Sequence, residues 1–149
     1  MITIGDPVPD MALRTDEGTP LALPDLNGRA FALFLLGPTL QPNAEMLLGE
    51  IADTTERFLS MEVSPIAVIG ESVERLAEYR KRHDPPFLLL SDGEMVMHRR
   101  FRSGDEDPAT AWIVDRQGRV VDIIPSLPSS ELVHLAVSRA ARGLNAPQT

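Results

Sequence analysis

The run Ala30–Leu36 is apolar at all seven positions and ends at the pair Gly37-Pro38. A continuous apolar run closed by turn residues is typical of a strand that is buried on both faces of its sheet. Such a strand needs a covering layer on each side, and it therefore favours an α/β architecture. Pro42 suits the first turn of a helix that would follow this strand.

Apolar runs bounded by Pro and Gly predict the other strands. They are Met11–Arg14, Leu21–Leu23, Pro65–Ile69, Phe87–Leu90, Thr110–Val114 and Val120–Ile124. The turns Asp16-Glu17-Gly18 and Asp115-Arg116-Gln117-Gly118 predict two hairpins, because glycine late in a turn accepts a positive φ.

Helical spacing of apolar residues predicts the helices. The first would start near Pro42 and bury a stripe made of Ala44, Leu47, Leu48, Ile51, Phe58 and Leu59. The second would be capped by Ser72 and end at Pro85-Pro86, a short one would cover Met95–Arg99, and the last would run from a cap at Ser129 to a cap at Gly143. Strands separated by helices imply parallel pairing, and the late hairpin adds an antiparallel part. We therefore expect one α/β domain over residues 1–144, with a mixed central sheet flanked by helices, and a loose tail over residues 145–149.

The charge balance limits the partners. Lys and Arg number 14 against 22 Asp and Glu, a net charge of −8. An acidic chain argues against a nucleic-acid surface, which would need a basic stripe. The clusters Arg80–His83 and Arg99–Arg102 are interpreted as solvated helix ends. No apolar run is long enough to span a membrane and no signal peptide is evident, so we expect a cytoplasmic protein without a membrane partner.

The sequence holds no set of metal ligands. It has no cysteine, and its three histidines, His83, His98 and His134, fall on different predicted elements. The acidic triplet 105–107 lacks the alternation and glycine of a calcium loop. We therefore predict no metal and no cofactor.

Four short segments resemble one protein family in the same order and at similar spacing. They are Ile4–Asp10 (IGDPVPD), Leu23–Arg29 (LPDLNGR), Tyr79–Asp92 (YRKRHDPPFLLLSD) and Trp112–Val121 (WIVDRQGRVV). From Ile4 to about Ala140 the chain resembles the alkyl hydroperoxide reductase and thiol-specific antioxidant (AhpC/TSA) family, and in particular its bacterioferritin-comigratory peroxiredoxins. The resemblance implies a thioredoxin-like fold with an N-terminal β-hairpin extension, and it would imply thiol peroxidase activity.

The residues that perform this chemistry in the family are missing. The family motif P-x-x-x-T-x-x-C, laid over residues 37–44, puts Gln41 at the threonine and Ala44 at the peroxidatic cysteine. The family's arginine before the "F-V-I-D" strand falls on Ala109 or Thr110. A thiolate is the nucleophile of this reaction, and an arginine without its thiolate would be an uncompensated cation, so the three losses belong together. An engineered Cys-to-Ala replacement would explain Ala44 alone.

Two kinds of function remain open for such a chain. The first is a peroxiredoxin-like protein without peroxidase activity, retained for binding or assembly. The alternative is an enzyme of unrelated chemistry in the old pocket, or a redox protein that depends on a cofactor such as haem or a metal, for which we find no ligands.

The old pocket still contains polar groups that could bind a ligand. The candidate binding residues are Pro38, Thr39, Gln41, Pro42 and Asn43, at the start of the first helix. Free backbone N–H groups there would form an anion site, although Glu45 already complements the helix dipole, and a capped helix without a ligand is the other interpretation. The resemblance also implies a homodimer, which would bury Leu40 within Gly37–Asn43 together with the loop Ser103–Pro108. A monomer with a solvated loop is the other interpretation, and the sequence does not identify the ligand or protein partner.

Overall fold

The computed structural model describes residues 3–36, 42–94, 97, 110–124 and 129–144. The strands are β1 Ala12–Thr15, β2 Pro20–Ala22, β3 Ala30–Leu35, β4 Val63–Ile69, β5 Leu88–Ser91, β6 Thr110–Val114 and β7 Val120–Ile124. The helices are α1 Pro42–Ser60, α2 Val73–His83 and α3 Ser129–Leu144, and a short 3-10 helix covers Leu23–Leu26. Among the described helices, none is long and apolar enough to cross a membrane.

The strands form one sheet in the order β2-β1-β5-β4-β3-β6-β7. The pairs β3–β4 and β4–β5 are parallel, whereas β6 runs antiparallel to β3 and β7 antiparallel to β6. The hairpin β1–β2 extends the sheet beyond β5, because β1 pairs antiparallel with β5. The predicted α/β fold, with a mixed sheet and an N-terminal hairpin, is confirmed.

Strand β3 divides the apolar interior into two clusters because its side chains alternate between the two faces. Phe34 belongs to the cluster that all three helices cover, where its ring meets Phe58 of α1 edge-on at 6.1 Å between centroids. Phe31 belongs to the opposite cluster, which the N-terminal arm covers through Val8 and Met11. Every residue of β3 is buried, as the apolar run predicts.

Strand β4 begins at Val63, two residues earlier than predicted, and so contains Pro65 in its interior. Proline usually cannot occupy a central strand because it lacks the N–H that the ladder needs. The N–H of Leu36 donates to the carbonyl of Val68 across 2.9 Å, so the polar groups of Val68 face β3 and, by alternation, those of Pro65 face β5. The first residue of β5, Leu88, pairs with Ile66. Since no residue of β5 is paired with Pro65, its missing N–H removes no hydrogen bond from the ladder.

Several predicted boundaries differ by a residue. Strands β1, β2 and β5 are each displaced by one position. Ser72 caps α2 as predicted and accepts a hydrogen bond from the backbone N–H of Arg75 at 3.3 Å. The predicted caps of α3 were wrong, because the helix already includes Ser129 and continues past Gly143 to Leu144. Met97, in the predicted short helix 95–99, is buried, and the rest of that segment lies outside the described residues, as do residues 99–108 and the tail 145–149.

Two side chains occupy environments opposite to those predicted. Leu59, placed in the buried stripe of α1, has 53% of its surface exposed. Arg80, placed in a solvated helix end, is instead held in a partly buried ion pair with Asp16, with 2.6 Å between Nε and Oδ2. The same guanidinium donates to the carbonyls of Pro85 and Phe87 at 2.9 and 2.7 Å. Arg80 thereby joins α2, the β1–β2 turn and the start of β5.

Candidate functional site

The candidate site lies at the edge of the sheet where the parallel strands β3, β4 and β5 end. Ligands of open α/β sheets bind at this edge because the loops that follow the strands converge there. The chain leaves β3 at Leu36 and enters α1 at Pro42. The intervening candidate residues Pro38, Thr39 and Gln41 lie outside the described residues, and so do the side chains of Pro42 and Asn43.

Ala44 lies in the first turn of α1 and is half-buried. Its methyl group can neither ionise nor attack a peroxide. The next residue, Glu45, is the acidic residue of that first turn, and its Oε1 lies 3.9 Å from Nη2 of Arg82 on α2. A carboxylate at this end of a helix complements the positive end of the dipole. The turn that would stabilise a thiolate in a peroxiredoxin is therefore already next to a negative charge.

Thr110 is the first residue of β6 and pairs with Leu35, the last residue of β3. It is half-buried, and Ala109 lies outside the described residues. The structure thus places Thr110 beside the exit of β3, near the loop that leads to α1. A threonine hydroxyl can form hydrogen bonds there, but it cannot supply the positive charge of an arginine.

Tyr79 of α2 lies near this site, and its sequence context did not mark it as a site residue. Its side chain is buried, and its ring lies 4.5 Å from the ring of His83, with 34° between the planes. Burial raises the pKa of Tyr79, the charge of Glu45 raises it further, and Arg82 partly offsets both effects. The phenol is therefore a neutral hydrogen-bond donor at physiological pH. The spacing of Tyr79 and His83, four apart on one helix, is the signal that could have revealed the pair.

Glu50, in the third turn of α1, was also missed. Its Oε2 is buried and forms no hydrogen bond with any residue that the structure describes. The neighbouring Thr54 hydroxyl donates instead to the backbone carbonyl of Glu50 at 2.7 Å. The sequence offered no signal, because acidic residues on a helix usually face solvent.

The polar residues at the end of β5 form hydrogen bonds with the backbone of neighbouring loops. The Ser91 hydroxyl donates to the backbone carbonyl of Glu71, and the Asp92 N–H donates to the carbonyl of Ile69 at 2.8 Å. Oδ1 of the buried Asp92 accepts a hydrogen bond from the N–H of Met97 at 3.2 Å. These groups hold together the loops after β4 and β5. Within the described part of the chain, His, Asp and Glu nowhere gather in a group of three that could hold a metal ion.

Comparisons with known proteins agree with this geometry. The model of the AhpC/TSA family matches residues 4–123. Peroxiredoxin Bcp of Bacillus subtilis (strain 168) is 26% identical over 130 residues, which are 80% of this chain and 83% of that relative. Among solved structures, the peroxidoxin BcpB of Mycobacterium tuberculosis superposes with a TM-score of 0.79 at 22% identity and covers both chains fully. A cysteine-to-serine mutant of Xylella fastidiosa PrxQ gives 0.81 at 14% identity, over 93% of this chain and 95% of that chain. The chain therefore belongs to the AhpC/TSA family, and it is a member whose sequence contains no cysteine.

Proposed function

We propose that this protein is a member of the AhpC/TSA family without thiol peroxidase activity, retained for binding or assembly. One observation carries the proposal: the family's scaffold is kept, yet no cysteine occurs anywhere in the 149 residues. Peroxide reduction in this family needs a thiolate that attacks the peroxide and is oxidised to a sulfenic acid. Ala44, at the position that the motif assigns to that thiolate, has no atom able to take its place.

The surroundings of Ala44 support the same proposal. The motif puts its arginine at Ala109 or Thr110, neither of which carries a charge, and Glu45 places a carboxylate in the first turn of α1. Peroxide reduction is fastest where positive charge stabilises the departing oxygen. The Thr110 hydroxyl is neutral, and the Glu45 carboxylate already pairs with the Arg82 guanidinium at 3.9 Å, so neither side chain supplies that charge.

Two experiments test this function together. The first measures peroxide consumption by the purified protein with a thiol reductant, and we expect none above the protein-free rate. The second is native mass spectrometry of the protein purified from its own host, where a stoichiometric copurifying molecule is the result expected of a binding protein. The proposal is contradicted if the protein consumes peroxide, or if it is always purified as a monomer without a bound molecule.

Association into a homodimer belongs to the proposal as well. The expected interface, Gly37–Asn43 with Ser103–Pro108, lies almost wholly outside the described residues, but the nearby Met46 of α1 has 59% of its surface exposed. An exposed apolar side chain beside that loop suits a contact between copies. Sedimentation equilibrium at micromolar concentration tests this proposal, and Leu40→Asp and Met46→Asp should each weaken the dimer. A monomeric wild type refutes it.

We also propose a cytoplasmic location, which fractionation of host cells would test.

A further inference from the structure

A crevice opens at the edge of the sheet opposite to Ala44, where β3, β4 and β5 begin. Its volume is about 220 Å³. Eight of its ten lining residues are apolar: Leu26, Phe31, Leu59, Pro65, Ile66, Pro86, Phe87 and Leu88. The other two are Arg29 and Ser64. A concave, mostly apolar site with a few polar groups is the usual form of a small-molecule site.

The crevice follows from the position of Pro65. Because β5 starts only at Leu88, opposite Ile66, the side of β4 at Pro65 has no neighbouring strand. The segment that leads into β5, with the exposed Pro86 and the buried Phe87, forms one wall of the gap. Leu59, near the end of α1, contributes another wall and keeps 53% of its surface exposed. A ligand in the crevice would cover this apolar surface, which the fold leaves open to water.

The two polar residues of the crevice are both free to bind a ligand. In the part of the chain that the structure describes, the Arg29 guanidinium and the Ser64 hydroxyl form no hydrogen bond or ion pair. Arg29 is therefore available to supply the positive charge that an anionic ligand needs. Phe31 and Ser64 are register partners in the parallel pair β3–β4, so their side chains project from the same face of the sheet. Arg29 precedes Phe31 by two positions, and therefore all three meet at one end of the crevice.

We propose that this crevice binds a small apolar molecule that bears one carboxylate, such as an arylalkanoic acid. The apolar part would lie among Phe31, Ile66 and Phe87, and the carboxylate would accept hydrogen bonds from Arg29 and Ser64. A cavity of about 150 Å³ is sufficient for benzene, so 220 Å³ leaves room for a ring with a short side chain. The planar guanidinium matches a carboxylate in a bidentate pair. A phosphate dianion would need more than the single cation that lines this crevice.

The site is separate from the old catalytic pocket. It lies where the parallel strands begin, whereas Ala44 follows the end of β3. Binding here does not depend on the proposed loss of peroxidase activity, and it would identify one ligand class for a protein retained for binding.

Titration of the ¹⁵N-labelled protein with 3-phenylpropanoate tests the proposal, with the neutral 3-phenylpropanamide as the matched probe. We expect saturable shifts in the amide signals of Ser64, Ile66 and Leu88 and unchanged signals for Ala44 and Glu45. The amide probe should bind about tenfold more weakly, because it lacks the charge that Arg29 recognises. No saturable shift at millimolar probe, or shifts centred on Ala44, would overturn the proposal.

Variants separate the contribution of each polar group. Arg29→Gln should weaken the binding of 3-phenylpropanoate about tenfold and leave the affinity for the neutral probe unchanged. Ser64→Ala should weaken the binding of 3-phenylpropanoate by a smaller factor. Arg75→Gln is the control, since it removes the same charge from an exposed side chain of α2 that does not line the crevice. Arg29 is exposed and unpaired, so its variant should fold, which its own amide spectrum verifies. Equal binding of both probes, or equal effects of Arg29→Gln and Arg75→Gln, would show that Arg29 does not recognise the carboxylate.

Discussion

Thr110, the first residue of β6, lies opposite Leu35, the last residue of β3, in the antiparallel pair of these strands. The loop that joins β3 to α1 therefore starts beside a hydroxyl, at a place where the family motif expects an arginine. Two residues into α1 the chain has Ala44, where the motif expects the nucleophile. The positions that the motif assigns to the nucleophile and to the supporting cation therefore lie at the same edge of the sheet, and neither Ala44 nor Thr110 can fill those roles.

Restoring the thiol alone should restore little activity. In Ala44→Cys the new thiol would adjoin the carboxylate of Glu45 and have no arginine at Thr110, so its pKa should stay higher than that of a peroxidatic cysteine. We expect peroxide consumption at least about a hundredfold below that of an ordinary peroxiredoxin, since a missing charge-stabilising donor typically costs that much. Stopped-flow measurement of thiol oxidation by hydrogen peroxide checks it.

The supporting cation can be tested on that background. Ala44→Cys with Thr110→Arg should react about tenfold faster than Ala44→Cys alone, while Ala44→Cys with the neutral Thr110→Gln should not. If Ala44→Cys alone reached the rate of ordinary peroxiredoxins, the role assigned here to positions 109 and 110 would be wrong.

Removal of Arg80 should lower the free energy of unfolding more than removal of a solvent-exposed arginine. Arg80→Gln leaves the buried Asp16 without its partner and frees two carbonyls, so we expect a loss of about 3 kcal/mol in the free energy of unfolding. Arg116→Gln is the matched control: its pair with Glu62 is nearly as close, at 2.8 Å, but both side chains are more than half exposed, so its loss should stay below about 0.5 kcal/mol. Urea unfolding measures both, and similar losses in the two variants would contradict the role given to burial.

Two glycines should respond to alanine with opposite signs. Gly118, in the β6–β7 turn, has φ +81°, and a Cβ there would lie within 3 Å of the Asn27 side chain, so Gly118→Ala should destabilise the protein by about 1–2 kcal/mol. Gly49 lies inside α1 with open space around its Cβ position, and Gly49→Ala should stabilise by about 0.5–1 kcal/mol. Thermal unfolding distinguishes the two directions, and a shift of the same sign in both would contradict the geometry of the turn.

The pKa of Tyr79 predicts a stability difference in alkali. Because burial raises this pKa above 10.0, the folded protein holds the phenolic proton more tightly than the unfolded chain does. That contribution is complete below the unfolded pKa and is lost as the pH rises through the folded pKa. The wild type should therefore lose stability above about pH 10 more steeply than Tyr79→Phe, by up to about 1.4 kcal/mol per pH unit. Urea unfolding of both proteins from about pH 8 to pH 11 checks this, and parallel curves would contradict it.

Local signals predicted the elements of the fold well. The apolar run at β3 places this strand at the buried centre, Ser72 marks the start of α2, and Gly18 and Gly118 take the positive φ that their turns require. In each case the sequence signal lies within a few residues of the structural feature that it predicts. Pro65 was predicted to start its strand, but β4 begins two residues earlier, because a proline inside this strand is tolerated where β5 has not begun, more than 20 residues later in the sequence.

Contacts between distant parts of the chain explain what was missed at the sites. Asp16 and Arg80 are 64 positions apart, and neither residue alone announces an ion pair. The raised pKa of Tyr79 depends first on its burial in the core and then on the charge of Glu45, and the crevice assembles residues from the 3-10 helix to the start of β5. The residues of the vestigial site stay a prediction that rests on a contiguous motif, whereas the crevice has no contiguous signature.

The central claim is that this scaffold no longer reduces peroxides. Its most direct test follows hydrogen peroxide and an alkyl hydroperoxide in the presence of the purified protein, with dithiothreitol and separately with a thioredoxin system, and with Bacillus subtilis Bcp measured alongside. The account predicts that consumption equals the protein-free control at every protein concentration, because no side chain can form the sulfenic acid. Saturable turnover that rises in proportion to the protein, and persists after a second purification, would contradict it.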